Sequence, residues 1–181
     1  MKRKILILCL VALLIALASA GTYSNSVYTH KATNVITSGG VDIALHSLTA
    51  DGKPAPSEPV VIMPGDVISK QLLVENTANH PVFLRIKLTP GINDAKLSAE
   101  GCIQMDIDPA HWTLRDGYYY YNQILQPGQK TPALFTQLSF TGSKMTNAYL
   151  GKLFSLDVDV QAVQSEHNGT DPLKALGWPE S

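Results

Sequence analysis

Five histidines, His30, His46, His80, His111 and His167, are the side chains of this sequence most suited to holding a transition metal or moving a proton. Zinc hydrolysis asks for two histidines one helical turn apart with a glutamate between them, so that both imidazoles share a face. These five are scattered over turns and alternating stretches without that spacing, and each reads as a surface or packing residue. No metal ligand is assigned. Asp157 and Asp159 fall on one face of an alternating segment, where two carboxylates can share a hard cation; ordinary alternation on a solvated face produces the same pair. A Gly-x-Ser-x-Gly elbow and a phosphate-cradling glycine loop are absent, and Cys102 has no catalytic surroundings. Cys102 reads as a partly exposed thiol on the side of Gln104 and Asp106, or as a small core filler. Nothing calls for a cofactor, and the chain reads as a non-enzyme.

Tyr118 to Tyr121 is the most conspicuous local feature. Four tyrosines in a row on a strand place two rings on each face. With Trp112, the rings of Tyr119 and Tyr121 form a possible surface contact for sugars or a second subunit; half-buried rings with high strand propensity are the alternative. Asn168-Gly169-Thr170 matches a glycosylation sequon too short to carry weight.

These residues sit in a chain dominated by period-two alternation. Val82, Leu84, Ile86 and Leu88 oppose Phe83, Arg85, Lys87 and Thr89. Ile103, Met105 and Ile107 alternate with polar residues, and Leu134, Leu138 and Phe140 with Phe135, Gln137 and Ser139. The longest case runs Phe154, Leu156, Val158, Val160, Ala162. Val41, Ile43 and Leu45 form an earlier strand, and Ile68, Leu72 and Val74 another, with Lys70 as its one violation. Met63-Pro64-Gly65-Asp66 and Gln126-Pro127-Gly128-Gln129 have the Pro and Gly placement of type II turns. Residues 76–81, 89–93 and Asp116-Gly117 break the chain similarly, and the Pro-rich stretch 51–59 reads as irregular. Two stretches, 143–150 and 171–176, hint at a helical turn or two. The expected fold is therefore all-β: an antiparallel β-sandwich of jelly-roll type with one or two short helices.

Residues 1–20 describe a secretory signal peptide: a basic start at Lys2, Arg3 and Lys4, an apolar run from Ile5 to Leu17, and the tripeptide Ala18-Ser19-Ala20. The apolar run is shorter than the roughly 20 residues that span a bilayer, so no permanent membrane anchor is expected. Cleavage there leaves eleven basic and fifteen acidic residues, a formal charge of −4. That balance gives no reason to expect nucleic acid. Only Cys102 remains, so no intramolecular disulfide forms. The mature chain divides into an extended segment at 21–35, a β-sandwich domain at 36–165 and a C-terminal tail at 166–181.

Several stretches together resemble the TasA and camelysin family of exported proteins. Gly21-Thr22-Tyr23 follows the apolar run as a Gly-Thr-aromatic segment does in that family. Ile36-Thr37-Ser38-Gly39-Gly40-Val41-Asp42-Ile43 is similar to its first strand, and Met63-Pro64-Gly65-Asp66 with Val74-Glu75-Asn76-Thr77 to its Pro-Gly-Asp turn and asparagine-closed strand. The tract from Asp116 to Tyr121, Pro127-Gly128, Leu134-Phe135, Ala162-Val163-Gln164 and Leu176-Gly177-Trp178-Pro179 is similar to related exported proteins. The resemblance implies processing by a signal peptidase of SipW type and secretion to the cell surface or biofilm matrix of a Gram-positive-type bacterium. It further implies a jelly-roll subunit that, in some members, self-associates or joins related matrix subunits into fibres. The metallopeptidase label attached to camelysin is not carried over, because no zinc motif supports it.

A sandwich leaves unpaired groups along its edges, and an extended segment from a neighbour satisfies them. Residues 24 to 35 are expected to be such a donor, through Ser24, Val27, Tyr28, Thr29, Ala32 and Val35; the segment is polar, free of glycine and weakly alternating. A loose leader or an internal edge strand is the alternative. Two other functions fit the same sequence: a secreted carbohydrate- or protein-binding module, and an accessory factor in assembly.

Overall fold

The computed structural model describes residues 26–28, 34–37, 41–55, 60–141 and 143–179. The expected signal peptide, and Ser24, Thr29 and Ala32 of the expected donor segment, lie outside them. Twelve strands follow in order: β1 Ser26–Tyr28, β2 Asn34–Thr37, β3 Ile43–Leu48, β4 Val60–Ile62, β5 Val67–Ser69, β6 Gln71–Asn76, β7 Val82–Ile92, β8 Ile103–Met105, β9 Trp112–Arg115, β10 Tyr118–Tyr121, β11 Gln137–Phe140 and β12 Leu153–Gln164. The helical content of the described residues is two 3-10 turns, Asn147–Tyr149 and Pro172–Lys174, each opened by a side chain, Thr146 or Asp171, that caps a backbone N–H.

The strands form an all-β sandwich. One layer runs β4-β1-β12-β7-β10-β9, with β2 also on β12. The other joins β3-β6 to β5-β11-β8 through residues 131–136, whose backbone continues the β11 ladder along β6: Thr131 N–H donates to Val74 O, Leu134 N–H to Leu72 O and Leu72 N–H to Phe135 O. The chain changes layer at every step from β6 to β12 except across the β9-β10 hairpin, which is the wrapping of a jelly roll. Leu72, Val74, Leu138 and Phe140 from one layer meet Leu84, Ile86, Phe154, Leu156, Val158 and Val160 from the other in one buried cluster. Alternation therefore builds the core directly: every second residue of β7 and β12 is an apolar chain aimed at the opposite sheet.

Turn chemistry behaves as the sequence predicts. Gly65 and Gly128 have φ of 96° and 73°, and Asp66 N–H and Gln129 N–H close their turns on Met63 O and Gln126 O. Asp116 and Gly117 both have positive φ, 51° and 79°, which is the two-residue hairpin turn whose twist suits β9 and β10. One expected break is absent. β7 continues through Pro90 and Gly91 to Ile92, because β10 pairs it only at Arg85 and Ile86, so the N–H that Pro90 lacks has no partner strand to face on that side. A Cβ at Gly91 would meet Ser155 Oγ across the ladder, so a larger residue there asks the Ser155 hydroxyl to rotate away.

Lys70, the violation in the alternating pattern, is 5% exposed between β5 and β6. Burial lowers its pKa from 10.5 to about 8 by desolvating the ammonium. Between those values the unfolded chain binds the proton and the folded chain releases it, so stability rises with pH across that window. Urea unfolding should gain on the order of 2 kcal/mol from pH 7.5 to 9.5, and Lys70→Met should flatten the rise. An unchanged slope in the variant would assign the pH dependence elsewhere.

Candidate assembly edge

β12 is the longest strand, and β7 pairs its full length on one side, from Phe154 opposite Ile92 to Gln164 opposite Val82. Among the described residues, its other side pairs with the N-terminal segment. β1 runs parallel to the start of β12, Val27 opposite Leu153 and Tyr28 opposite Phe154. β2 runs parallel to its second half, with Asn34, Val35, Ile36 and Thr37 opposite Asp159, Val160, Gln161 and Ala162. β1 also bridges β12 to β4 through three antiparallel positions. Within this single chain, the described parts of the expected donor segment thus pair inside their own sandwich, β1 between β12 and β4 and β2 on β12, and β2 runs two residues past Val35, to Thr37.

The two parallel ladders do not share a register. Six positions separate Tyr28 from Asn34, whereas five separate their partners Phe154 and Asp159. The registers of β1 and β2 on β12 therefore differ by one residue. These strands also stand apart topologically. They precede β3, and among the described residues their pairings on β12 are the parallel ones, the other strand pairs, β1 with β4 included, being antiparallel.

The two faces of β12 differ. Phe154, Leu156, Val158, Val160 and Ala162 point into the core. Asp157 is exposed; Asp159 and Gln161 point outward with it, yet Gln161 is fully buried, because the C-terminal segment covers this face. Gln161 donates through Nε2 to Asp159 Oδ2 at 3.2 Å and accepts from Arg85 Nε at 2.8 Å. Phe83, expected on a solvated face beside Arg85 and Lys87, is likewise fully buried, packed with Val163 and Ala175 in a second apolar cluster.

The possible surface contact at Trp112, Tyr119 and Tyr121 is corrected by their positions. Trp112 and Tyr121 are 3% and 6% exposed, their rings 5.4 Å apart within the core cluster, and Tyr119 packs half-buried against it. The inward face of β10 is set by its antiparallel pairing with β7, Tyr119 opposite Ile86, a core residue. Burial also pushes the Tyr121 hydroxyl pKa upward. Tyr118 and Tyr120 take the other face, where Arg85 lies 4.0 Å from the Tyr118 ring centre and donates to Tyr120 Oη at 3.1 Å. Cys102 is buried just before β8, its thiol 3.6 Å from Ser98 O. Among the described residues, no three His, Cys, Asp or Glu side chains gather as a metal site, and no helix is long and apolar enough to cross a membrane. Comparison with family models, with curated proteins and with solved structures finds no match.

Proposed function

We propose that this chain is a secreted structural subunit of a bacterial cell surface or biofilm matrix, which assembles by lending its N-terminal segment to the β12 edge of a neighbouring copy. The observation that carries this reading is the pairing of β1 and β2 on β12. Among the described residues, the side of β12 away from β7 is paired by this N-terminal segment, whose β1 links β12 to β4 at one end of the layer. Such a segment leaves without unpicking a core hairpin, and the edge it vacates accepts an identical segment from another chain. In cis, β1 and β2 pair with β12 in registers that differ by one residue. A segment from a neighbour is free to take a single register along β12, and that difference favours exchange. The resemblance to exported fibre proteins, together with the signal-like N-terminus, supports the same reading. Export then depends on a signal peptidase of SipW type, and the partners are further copies or related matrix subunits.

Electron microscopy of the purified mature protein, with size-exclusion chromatography and N-terminal sequencing of the same sample, tests this directly. Filaments with an ordered repeat are expected. A persistent monomer at high concentration would move the chain to an accessory role in assembly.

A further inference from the structure

Beyond β12, the chain turns back through a bend in which His167 and Gly169 have φ of 61° and 77°. A non-glycine residue in that region is uncommon and needs local support. Asn168 supplies it: its side chain donates to Gln164 O and Leu176 O and accepts from Leu176 N–H at 2.8 Å. The segment that follows lies on the outer face of the β12-β7-β10 sheet, with Pro172 and Ala175 buried there. Trp178 stands edge-on to Tyr120, ring centres 5.7 Å apart. The Arg85 guanidinium lies 4.6 Å from the Trp178 ring and 4.0 Å from the Tyr118 ring, a cation between two π faces. It also donates to Pro179 O at 3.4 Å and, through Nε, to Gln161.

This chain of contacts ends on the edge described above. Gln161 is opposite Ile36 in the β2 ladder, and Asp159, which Gln161 holds, is opposite Asn34. We propose that the C-terminal segment is a latch on the β12 edge. Seated, it clamps Arg85 against Gln161 and fixes the stretch of β12 to which β2 pairs; lifted, it loosens that stretch and releases β2. The latch is a property of one chain, whereas its control over exchange between copies rests on the assembly reading above.

Residue-resolved amide exchange of the full mature chain tests the latch. In Trp178→Ala, amides of Asn34–Thr37 and Asp159–Ala162 should exchange about tenfold faster, the equivalent of 1.4 kcal/mol, while those of β3 and β6 keep their rates. Arg85→Lys should do the same, because an ammonium cannot stack between the rings and reach Gln161 and Pro179 at once. Unchanged rates at both stretches in both variants would overturn the proposal. Should Trp178→Ala also loosen β3 and β6, Trp178→Phe decides: faster exchange confined to β2 and β12 supports the latch, and a uniform change overturns it. Faster exchange without any change in filament formation leaves the latch standing and counts against the assembly reading.

Discussion

A mature chain lacking residues 24 to 37 is expected to remain folded, to run as a monomer, and to form no filaments under conditions where the intact mature chain forms them. It keeps Val41, which is fully buried, and everything from β3 onward. The core cluster of described residues draws on β3 to β12; β4 loses its β1 partner but keeps Ile62 in the core, and the two layers and their wrap survive. What is lost is six paired positions on β12 and three on β4. At roughly 0.5 to 1.5 kcal/mol for each net backbone hydrogen bond, that weakens the domain without removing its reason to fold. Asp157 and Asp159, on the outer face of β12, place two carboxylates beside the bare edge, and charges on an edge strand discourage indiscriminate pairing. The loss of filaments would be complete, not graded, because every junction needs one donor segment. Filaments of unchanged repeat from the truncated chain would refute donation by this segment.

The second large effect is on stability. Asn76→Ala should cost about 3 kcal/mol in urea unfolding, because three hydrogen bonds of a buried side chain are lost together and His80 O loses its donor, although Leu125 O keeps Val82 N–H and Ala78 N–H keeps Asp42 O. Asn76 is fully buried at the end of β6. Its amide donates to His80 O at 2.8 Å and to Leu125 O at 2.9 Å, and its carbonyl oxygen accepts from Ala78 N–H at 3.0 Å. Those bonds shape the turn of residues 76–81 and fasten it to the strand-like stretch where Leu125 and Val82 exchange backbone bonds. The turn leads directly into β7, which pairs with both β12 and β10, so its geometry sets the register of the sheet. Asn76→Asp should be at least as damaging. It retains the acceptor, loses both donated bonds and places a carboxylate against two carbonyl oxygens. A loss below 1 kcal/mol for either variant would show that the turn holds its shape without the side chain.

Much of this architecture is legible in the sequence. Alternation marks β7 and β12 to within a few residues, since burial of one sheet face imposes period two on the side chains. The two Pro-Gly turns read correctly because only glycine occupies their third position without strain. The four tyrosines do split two and two between faces. Which pair would be solvated is another matter. Both faces of that sheet are covered, one by the second layer and the other by the C-terminal segment around Ala175 and Trp178. That segment carries too few apolar residues to announce a buried role, so Phe83 and Gln161 read as surface positions and are not. Ring chemistry leaves Trp112 and Tyr121 open to a surface contact or to burial, and the pairing of β10 with β7 turns them inward. The parallel direction of β1 and β2 leaves no local trace, because direction is decided by which edge is vacant rather than by the residues of the strand. Lys70 stood out as a break in the pattern, yet the pattern holds through it, with an ammonium stem where an aliphatic chain would sit.

The central claim is that the β12 edge accepts the N-terminal segment from another molecule, and complementation in trans measures it most directly. A chain beginning at Ser38 would be titrated with a synthetic peptide of residues 24 to 37, followed by fluorescence anisotropy of the labelled peptide and by thermal unfolding. Saturable one-to-one binding is expected, with a rise in Tm of about 5 °C or more at saturation, and a scrambled peptide of the same composition should do neither. A folded chain that ignores the authentic peptide, or binds the scrambled one equally well, would contradict assembly by strand donation.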